Sequence, residues 1–308
     1  MSIIKAKKEK NFMYFHNVFV FRKGMVKIMR EISALKITVD KKEIDNIDMA
    51  VREILNSDIN WTNSKYARAC ESEFSQLTRI PYCTMTSTGS SAIEAALISL
   101  NIEDTFIFVP VLTAPATIYS CLNSHSQLVM VDANPLDYSL DLEDLEDKIK
   151  RYYVGKCNKK GAVIVVHVGG IISSNMDKLR DLTDKYGLYL IEDCAHAHGS
   201  VLGEKSAGSW GKVATYSFFL TKTITAGEGG AVLSNDLDLI DRIRQIINYG
   251  KDSNGNHIFK GSSWRMNEFS AAVLLNQFKT YNPSIRRNKV ALYNTLLSKT
   301  GNFTPLVL

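Results

Sequence analysis

Tyr216-Ser-Phe-Phe-Leu-Thr-Lys222-Thr-Ile-Thr-Ala-Gly-Glu-Gly-Gly230 sets a single lysine between an apolar run and a glycine-rich turn. An ammonium is poorly tolerated away from water. A lysine among Phe218, Phe219, Leu220 and Ile224 therefore either extends its charge to the surface or has its pKa lowered by burial. Only the second case makes it a nucleophile, because a neutral amine can condense with an aldehyde. Count alone favours the first, since most of the 37 Lys and Arg residues must be solvated surface charges.

Upstream residues shift that balance. Gly187-Leu-Tyr-Leu-Ile-Glu-Asp193 is a short apolar run closed by two acids, the pattern of a buried parallel strand that delivers Asp193 at its carboxyl end, where α/β sheets bind ligands. His196 follows three residues later. A carboxylate for a pyridinium nitrogen, a lysine for an aldehyde and a side-chain donor for a phenolic oxygen suit pyridoxal phosphate. Taken singly, Asp193 also reads as a helix cap, and His196 reads first as a satisfied core histidine.

Together with their spacing, Ile191-Glu-Asp-Cys-Ala-His-Ala-His-Gly199, Ser217-Phe-Phe-Leu-Thr-Lys222 and Gly227-Glu-Gly-Gly230 resemble the DegT/DnrJ/EryC1/StrS family of pyridoxal-phosphate-dependent sugar aminotransferases. The resemblance runs from about Ile37 to about Leu296 and takes in Thr86–Ala92, Val166–Gly170 and Trp264–Glu268. It implies aminotransferase fold type I: an α/β chain with a mainly parallel seven-stranded sheet flanked by helices. Residues 36–280 would form the large cofactor-binding domain, and 281–308 the start of a small domain that is largely missing. Lys222 and Asp193 would be catalytic. Gly89, Ser90 and Ser217 would hold the cofactor phosphate, and His196 would face the phenolic oxygen. Ala114 stands where the family has an aromatic ring over the pyridine. Ser263 stands where an asparagine reaches across a homodimer to the neighbour's phosphate. The implied substrates are a nucleotide-linked keto-deoxysugar and glutamate or glutamine. A truncated homologue that only binds cofactor or a partner is one alternative. A sugar dehydratase is another, although those relatives carry histidine at the position of Lys222.

The remaining features set bounds. The 308 residues, 45% hydrophobic, can bury a large core, and a net charge of +5 without a dense basic run does not favour nucleic acid. Five cysteines without a CxxC pair argue against a disulfide framework and a zinc site, so no metal is expected and a reducing cytoplasm fits. Lys5 to Lys10 precede an apolar run, Phe12 to Phe21, but Asn11, His16 and Asn17 interrupt it and no small-residue cleavage site follows. The reading for residues 1–35 is thus an extension of unknown structure, not a signal peptide or membrane span.

Periodicity supplies the elements. Ile44, Ile47, Val51, Ile54 and Leu55 mark an amphipathic helix, and a second spans Tyr66 to Leu77; the resemblance implies that the loop between them, with Trp61 and Asn63, lies near the substrate, although a tryptophan beside a turn more often packs. Pro81–Thr86 reads as a strand. The turn Ser87–Ser91 that follows it opens a helix, and by itself fits a serine-rich N-cap better than an anion site. Strand and helix then alternate: Phe106–Val109 with Pro115–Leu122, Leu128–Val131 with Leu142–Arg151, Ala162–Val166 with Asn175–Tyr186, and Leu188–Ile191. Tyr216–Phe219 and Ala231–Ser234 add strands, and helices are expected over Asp236–Asn248, Trp264–Phe278 and after Pro283. No GxGxxG follows the first strand, which counts against a nicotinamide-binding Rossmann domain.

Overall fold

The computed structural model describes residues 39–301; the readings for residues 1–35 and for the last seven residues lie outside it. Helix α1 (Lys41–Asn56) begins at Asp40, whose side chain accepts from Glu43 N at 2.8 Å while Glu43 reaches back to Asp40 N. That reciprocal cap fixes the start of the helix. Ala50 and Ile54 turn inward, whereas Ile44 and Leu55 stay exposed. Helix α2 (Lys65–Thr78) lacks a cap from its own Ser64 side chain. Glu268 supplies one from 204 and 202 residues away, accepting from Ser64 N at 2.7 Å and Tyr66 N at 2.6 Å.

The alternation continues as β1 (Tyr82–Thr86), α3 (Gly89–Ser99), β2 (Phe106–Pro110), α4 (Pro115–Leu122), β3 (Gln127–Val131), α5 (Leu142–Lys148), β4 (Ala162–Val166), α6 (Met176–Lys185) and β5 (Tyr189–Asp193). A two-residue hairpin follows, β6 (Val201–Leu202) with β7 (Lys205–Ser206), then β8 (Val213–Ser217), β9 (Gly230–Ser234), α7 (Leu237–Ile246), α8 (Glu268–Thr280) and α9 (Pro283–Ser298).

Seven strands form one sheet in the order β1-β9-β8-β5-β4-β2-β3. β9 runs antiparallel to both its neighbours, and the other pairs are parallel. Side-chain alternation assigns each face to its own helices. Val109, Ile164, Ile191 and Val232 pack with α3 and α7 on one face. On the other, Phe108, Val163 and Leu190 meet α5 and α6, while Ala214, Tyr216 and Leu233 meet α1, α2 and α8. Phe74 centres that last cluster, stacked on Phe278 at 5.0 Å and edge-on to Tyr216 at 4.8 Å. Strands covered on both faces read as apolar runs, which is why most of them are visible in the sequence.

Three boundaries differ from the periodicity. The strand expected over Tyr216–Phe219 occupies Val213–Ser217, because the chain leaves the ladder at Phe218, whose N–H donates to Gly229 O, while Phe219 N–H turns back to Ser217 Oγ. The helix expected from Trp264 starts at Glu268, because Ser87 N–H donates to Trp264 O at 2.7 Å and draws the preceding residues along β1. The helix expected to reach Arg151 is regular only to Lys148 and continues as a wider π-turn over Ile149–Tyr153.

Candidate active site

The carboxyl ends of β1, β2, β4, β5 and β8 lie along one edge of the sheet, the edge where parallel α/β sheets bind ligands. β5 delivers Asp193 there, buried. Its Oδ2 accepts from Thr117 Oγ1 at 2.8 Å and its Oδ1 from Ala195 N at 3.1 Å, and Thr113 Oγ1 donates to Thr117 Oγ1 at 2.9 Å. Thr117 stands in the first turn of α4, one turn beyond Ala114, whose carbonyl accepts from Thr117 N.

Lys222 lies in the bend after β8, its N–H bonded to Phe219 O. Phe218 and Ile224 beside it are fully buried, but Phe219 and Leu220 are 41% and 39% exposed, so the apolar surround is one-sided. Burial still lowers the pKa of Lys222 below its ordinary value, opposed by the charge of Asp193. The pKa of His196 is also lowered, first by loss of water and then by the charge of Lys222, with Asp193 opposing. Lysine, acid and imidazole thus share one electrostatic site. Gly169 N–H donates to His196 Nδ1 at 3.3 Å, which leaves the proton of the neutral ring on Nε2.

On the side toward β1, Thr88 caps α3 by accepting from Ser91 N at 3.0 Å. The amides of Gly89 and Ser90 are left without an intrahelical acceptor. Gly89 is pressed against β8: a Cβ at this position would lie 2.7 Å from Ser217 Cβ. Gly230 is tighter, since its Cβ would meet Thr88 O at 2.2 Å. These two close approaches set the Ser217 hydroxyl beside the start of α3, a donor set suited to an anion.

Of the eight residues singled out in the sequence, the fold brings Asp193, His196, Lys222, Gly89, Ser90, Ser217 and Ala114 to this edge. Ser263 stands apart: its Oγ accepts from Arg265 Nη2 at 2.9 Å, and among the described residues no hydrogen bond joins it to the others. Trp61 packs edge-on against Phe269, and Asn63 N–H donates to Met266 O.

Two contributors carry no mark in the sequence. Thr117 is 76 residues from the acid it holds, and only topology pairs them. Glu192 faces away from Asp193 and is fully buried. Its carboxylate accepts from Trp210 N at 2.7 Å, Gly211 N at 2.5 Å and Gly208 N at 2.8 Å, with His167 Nε2 at 2.9 Å. Those partners tie the 208–211 loop and the end of β4 to β5, fixing the strand that presents Asp193. Burial pushes the Cys194 thiol well above its ordinary range, so it is no nucleophile at neutral pH.

A mostly parallel sheet with a lysine, an acid and an imidazole at one edge defines the class: an α/β protein of the aminotransferase fold. Comparison with known proteins makes this specific, and the chain belongs to the DegT/DnrJ/EryC1/StrS aminotransferase family, whose sequence model matches residues 41–308. It is 32% identical over 251 residues to a GDP-perosamine synthase of Vibrio cholerae, covering 79% of this chain and 66% of the relative. To the GDP-perosamine synthase of Escherichia coli O157:H7 it is 33% identical over 244 residues, 78% and 64% of the two chains. The crystal structure of S. venezuelae DesV in complex with a ketimine intermediate superposes with a TM-score of 0.74 at 28% identity, over 83% of this chain and 67% of that one. The chain thus spans about two thirds of the length of the curated relatives it matches. No described helix is long and apolar enough to cross a membrane.

Proposed function

We propose that the chain carries the cofactor site of a pyridoxal-phosphate-dependent aminotransferase acting on a nucleotide-linked keto-deoxysugar, with glutamate or glutamine as amino donor. The observation that carries this is Lys222, its pKa lowered by burial, beside an Asp193 whose two oxygens are held by Thr117 and Ala195. The residues present fit the cofactor. Gly89, Ser90 and Ser217 offer two amides and two hydroxyls to a phosphate, and the close approach at Gly89 leaves no room for a side chain between them.

Bound there, pyridoxal phosphate would supply an aldehyde and an electron sink. Asp193, held by Thr117 and Ala195, would face the ring nitrogen as its carboxylate partner. His196, accepting from Gly169 at Nδ1, would present Nε2–H to the phenolic oxygen. Lys222 Nζ, with an unprotonated fraction larger than that of a solvated lysine, would bind the aldehyde and then move the proton between donor carbon and cofactor as base and acid. Ala114 provides no ring to stack on the pyridine. Residues 36–280 would act as the large domain, residues 281–308 would begin a small one, and Ser263 would reach a neighbouring copy in a homodimer. The relatives' names support a sugar substrate, as in the GDP-perosamine synthases.

The test is the half-reaction with amino donor, followed by absorbance in protein loaded with pyridoxal phosphate. Asp193→Asn keeps the shape but removes the charge, so cofactor should still bind while the rate falls by orders of magnitude. An unchanged rate would mean that the acid acting on the ring lies elsewhere.

A further inference from the structure

A recess of about 1000 Å³ lies at the opposite edge of the sheet, where β4 and β5 begin, between the ends of α3 and α4, the middle of α7 and the loop from Ile258 to Trp264. Tyr189, the first residue of β5, lines it, so the length of that strand, about 13 Å at the usual rise per residue, stands between the recess and Asp193. Its walls hold more positive charge than they neutralise. Lys159 pairs with Asp104 at 3.3 Å, but Lys160, Arg242 and Lys260 have no carboxylate partner among the described residues. Two acids share the lining: Glu94, which accepts from Asn123 Nδ2 at 3.0 Å, and Glu103. Lys160 Nζ rests instead 3.8 Å from the centre of the Tyr189 ring, and the Arg242 guanidinium 4.6 Å from that of Phe259. Arg242 Nη2 donates to Asn101 Oδ1, while its Nε–H is buried with no acceptor. A buried N–H left unpaired is costly, and on a cation in a cavity wall it marks a place for an anion.

We propose that this recess is an effector site for a nucleoside phosphate, separate from the cofactor site, with the phosphate on Lys160, Arg242 and Lys260 and the base against Phe259 and Trp264. Three cations without partners suit more than one negative charge, which a phosphate supplies and a single carboxylate does not. Cations resting on ring faces show those faces open to a flat partner, and once the cations turn to phosphate a heteroaromatic base can take their place. The volume stands at the upper end of ligand pockets, roughly 300–1,000 Å³, with room for base, ribose and phosphate together. Trp264 ties the recess to the candidate active site. It lines the recess, and its backbone is bonded on both sides, N–H to Ile247 O at 3.0 Å and O to Ser87 N at 2.7 Å. Ser87 opens the turn that carries the Gly89 and Ser90 amides. A ligand held against Trp264 therefore bears on the start of α3, and each site should change the other's affinity by the same factor.

Titration calorimetry of AMP into the full chain, alone and with saturating pyridoxal phosphate, tests this. AMP should bind in both cases, more weakly as salt rises, and pyridoxal phosphate should shift its affinity by roughly fivefold or more. Arg242→Gln should weaken AMP by about tenfold, the loss of one charge-assisted contact, and Lys160→Gln should weaken it as well. Both variants should bind pyridoxal phosphate alone as wild type does, which also shows that they are folded. Adenosine and inorganic phosphate should each bind more weakly than AMP, since neither fills both parts of the recess. AMP that fails to bind wild type at millimolar concentration, or that binds Arg242→Gln as tightly as wild type, overturns the proposal. Arg242-dependent binding that pyridoxal phosphate leaves unchanged overturns the effector role. Arg242-dependent binding in a chain that takes up no pyridoxal phosphate supports the recess while removing the aminotransferase reading.

Discussion

Replacing Glu192 by Gln tests how the acid-bearing strand is held. The carboxylate takes three backbone N–H groups and the His167 ring; Glu192, His167, Gly208 and Trp210 are buried and Gly211 is half-buried. A glutamine amide oxygen can still accept from Trp210 and Gly211, but as weaker neutral bonds, losing about 1 kcal/mol each. Its NH2 group would then face Gly208 N–H, donor against donor, leaving a buried amide unsatisfied at a cost of about 1–3 kcal/mol. His167 can adapt by turning its acceptor tautomer toward the new NH2. The sum is about 3–5 kcal/mol. With a urea m-value of about 3 kcal/mol/M, the unfolding midpoint should fall by about 1 to 1.7 M. Urea titration followed by circular dichroism reads this directly, and amide exchange at residues 208–211 should accelerate with it. A midpoint within 0.3 M of wild type, on a scale of roughly 3 kcal/mol/M, would show that this carboxylate does not anchor the loop.

Two more outcomes follow from other residues. Burial lowers His198 from 6.5 to about 3, so between those values the unfolded chain binds a proton that the folded chain does not. Stability should therefore be unaffected above pH 6.5, fall as pH drops below it, by about 1.4 kcal/mol at pH 5.5, and level off near pH 3; His198→Phe should flatten that segment, and parallel profiles of wild type and variant would refute the assignment. Ala114→Tyr should tighten pyridoxal phosphate binding by about 2- to 10-fold, the worth of an added ring contact of ~0.5–1.5 kcal/mol, and equal affinities in a fluorescence titration would count against a cofactor ring over position 114.

The sequence disclosed what depends on local pattern and concealed what depends on topology. β4 and α4 match their apolar runs residue for residue, because a strand buried on both faces and a helix opened by Pro115 announce themselves. β8 was legible only in part: Val213-Ala-Thr215 carries little apolar signal, and the Phe218-Phe219 pair, which reads as more strand, belongs to the turn. The position of β9, antiparallel between β1 and β8, follows from long-range pairing that no window of sequence contains. Within the site, Lys222, Asp193 and His196 were readable from spacing and resemblance. Thr117, Glu192 and the Glu268 cap were not, since each acts on residues far away in the chain. The one-sided exposure around Lys222 was equally hidden, because composition cannot say which of four neighbouring apolar side chains turn outward.

The proposed function stands on Lys222 presenting a reactive amine to an aldehyde cofactor. Borohydride reduction of the full chain in the presence of pyridoxal phosphate, followed by peptide mass spectrometry, tests it most directly. The expected result is one pyridoxyl group on Lys222, formed faster as pH rises through an apparent pKa below 10.5, and absent in Lys222→Ala. Label on other lysines at the same level in wild type and Lys222→Ala would contradict it.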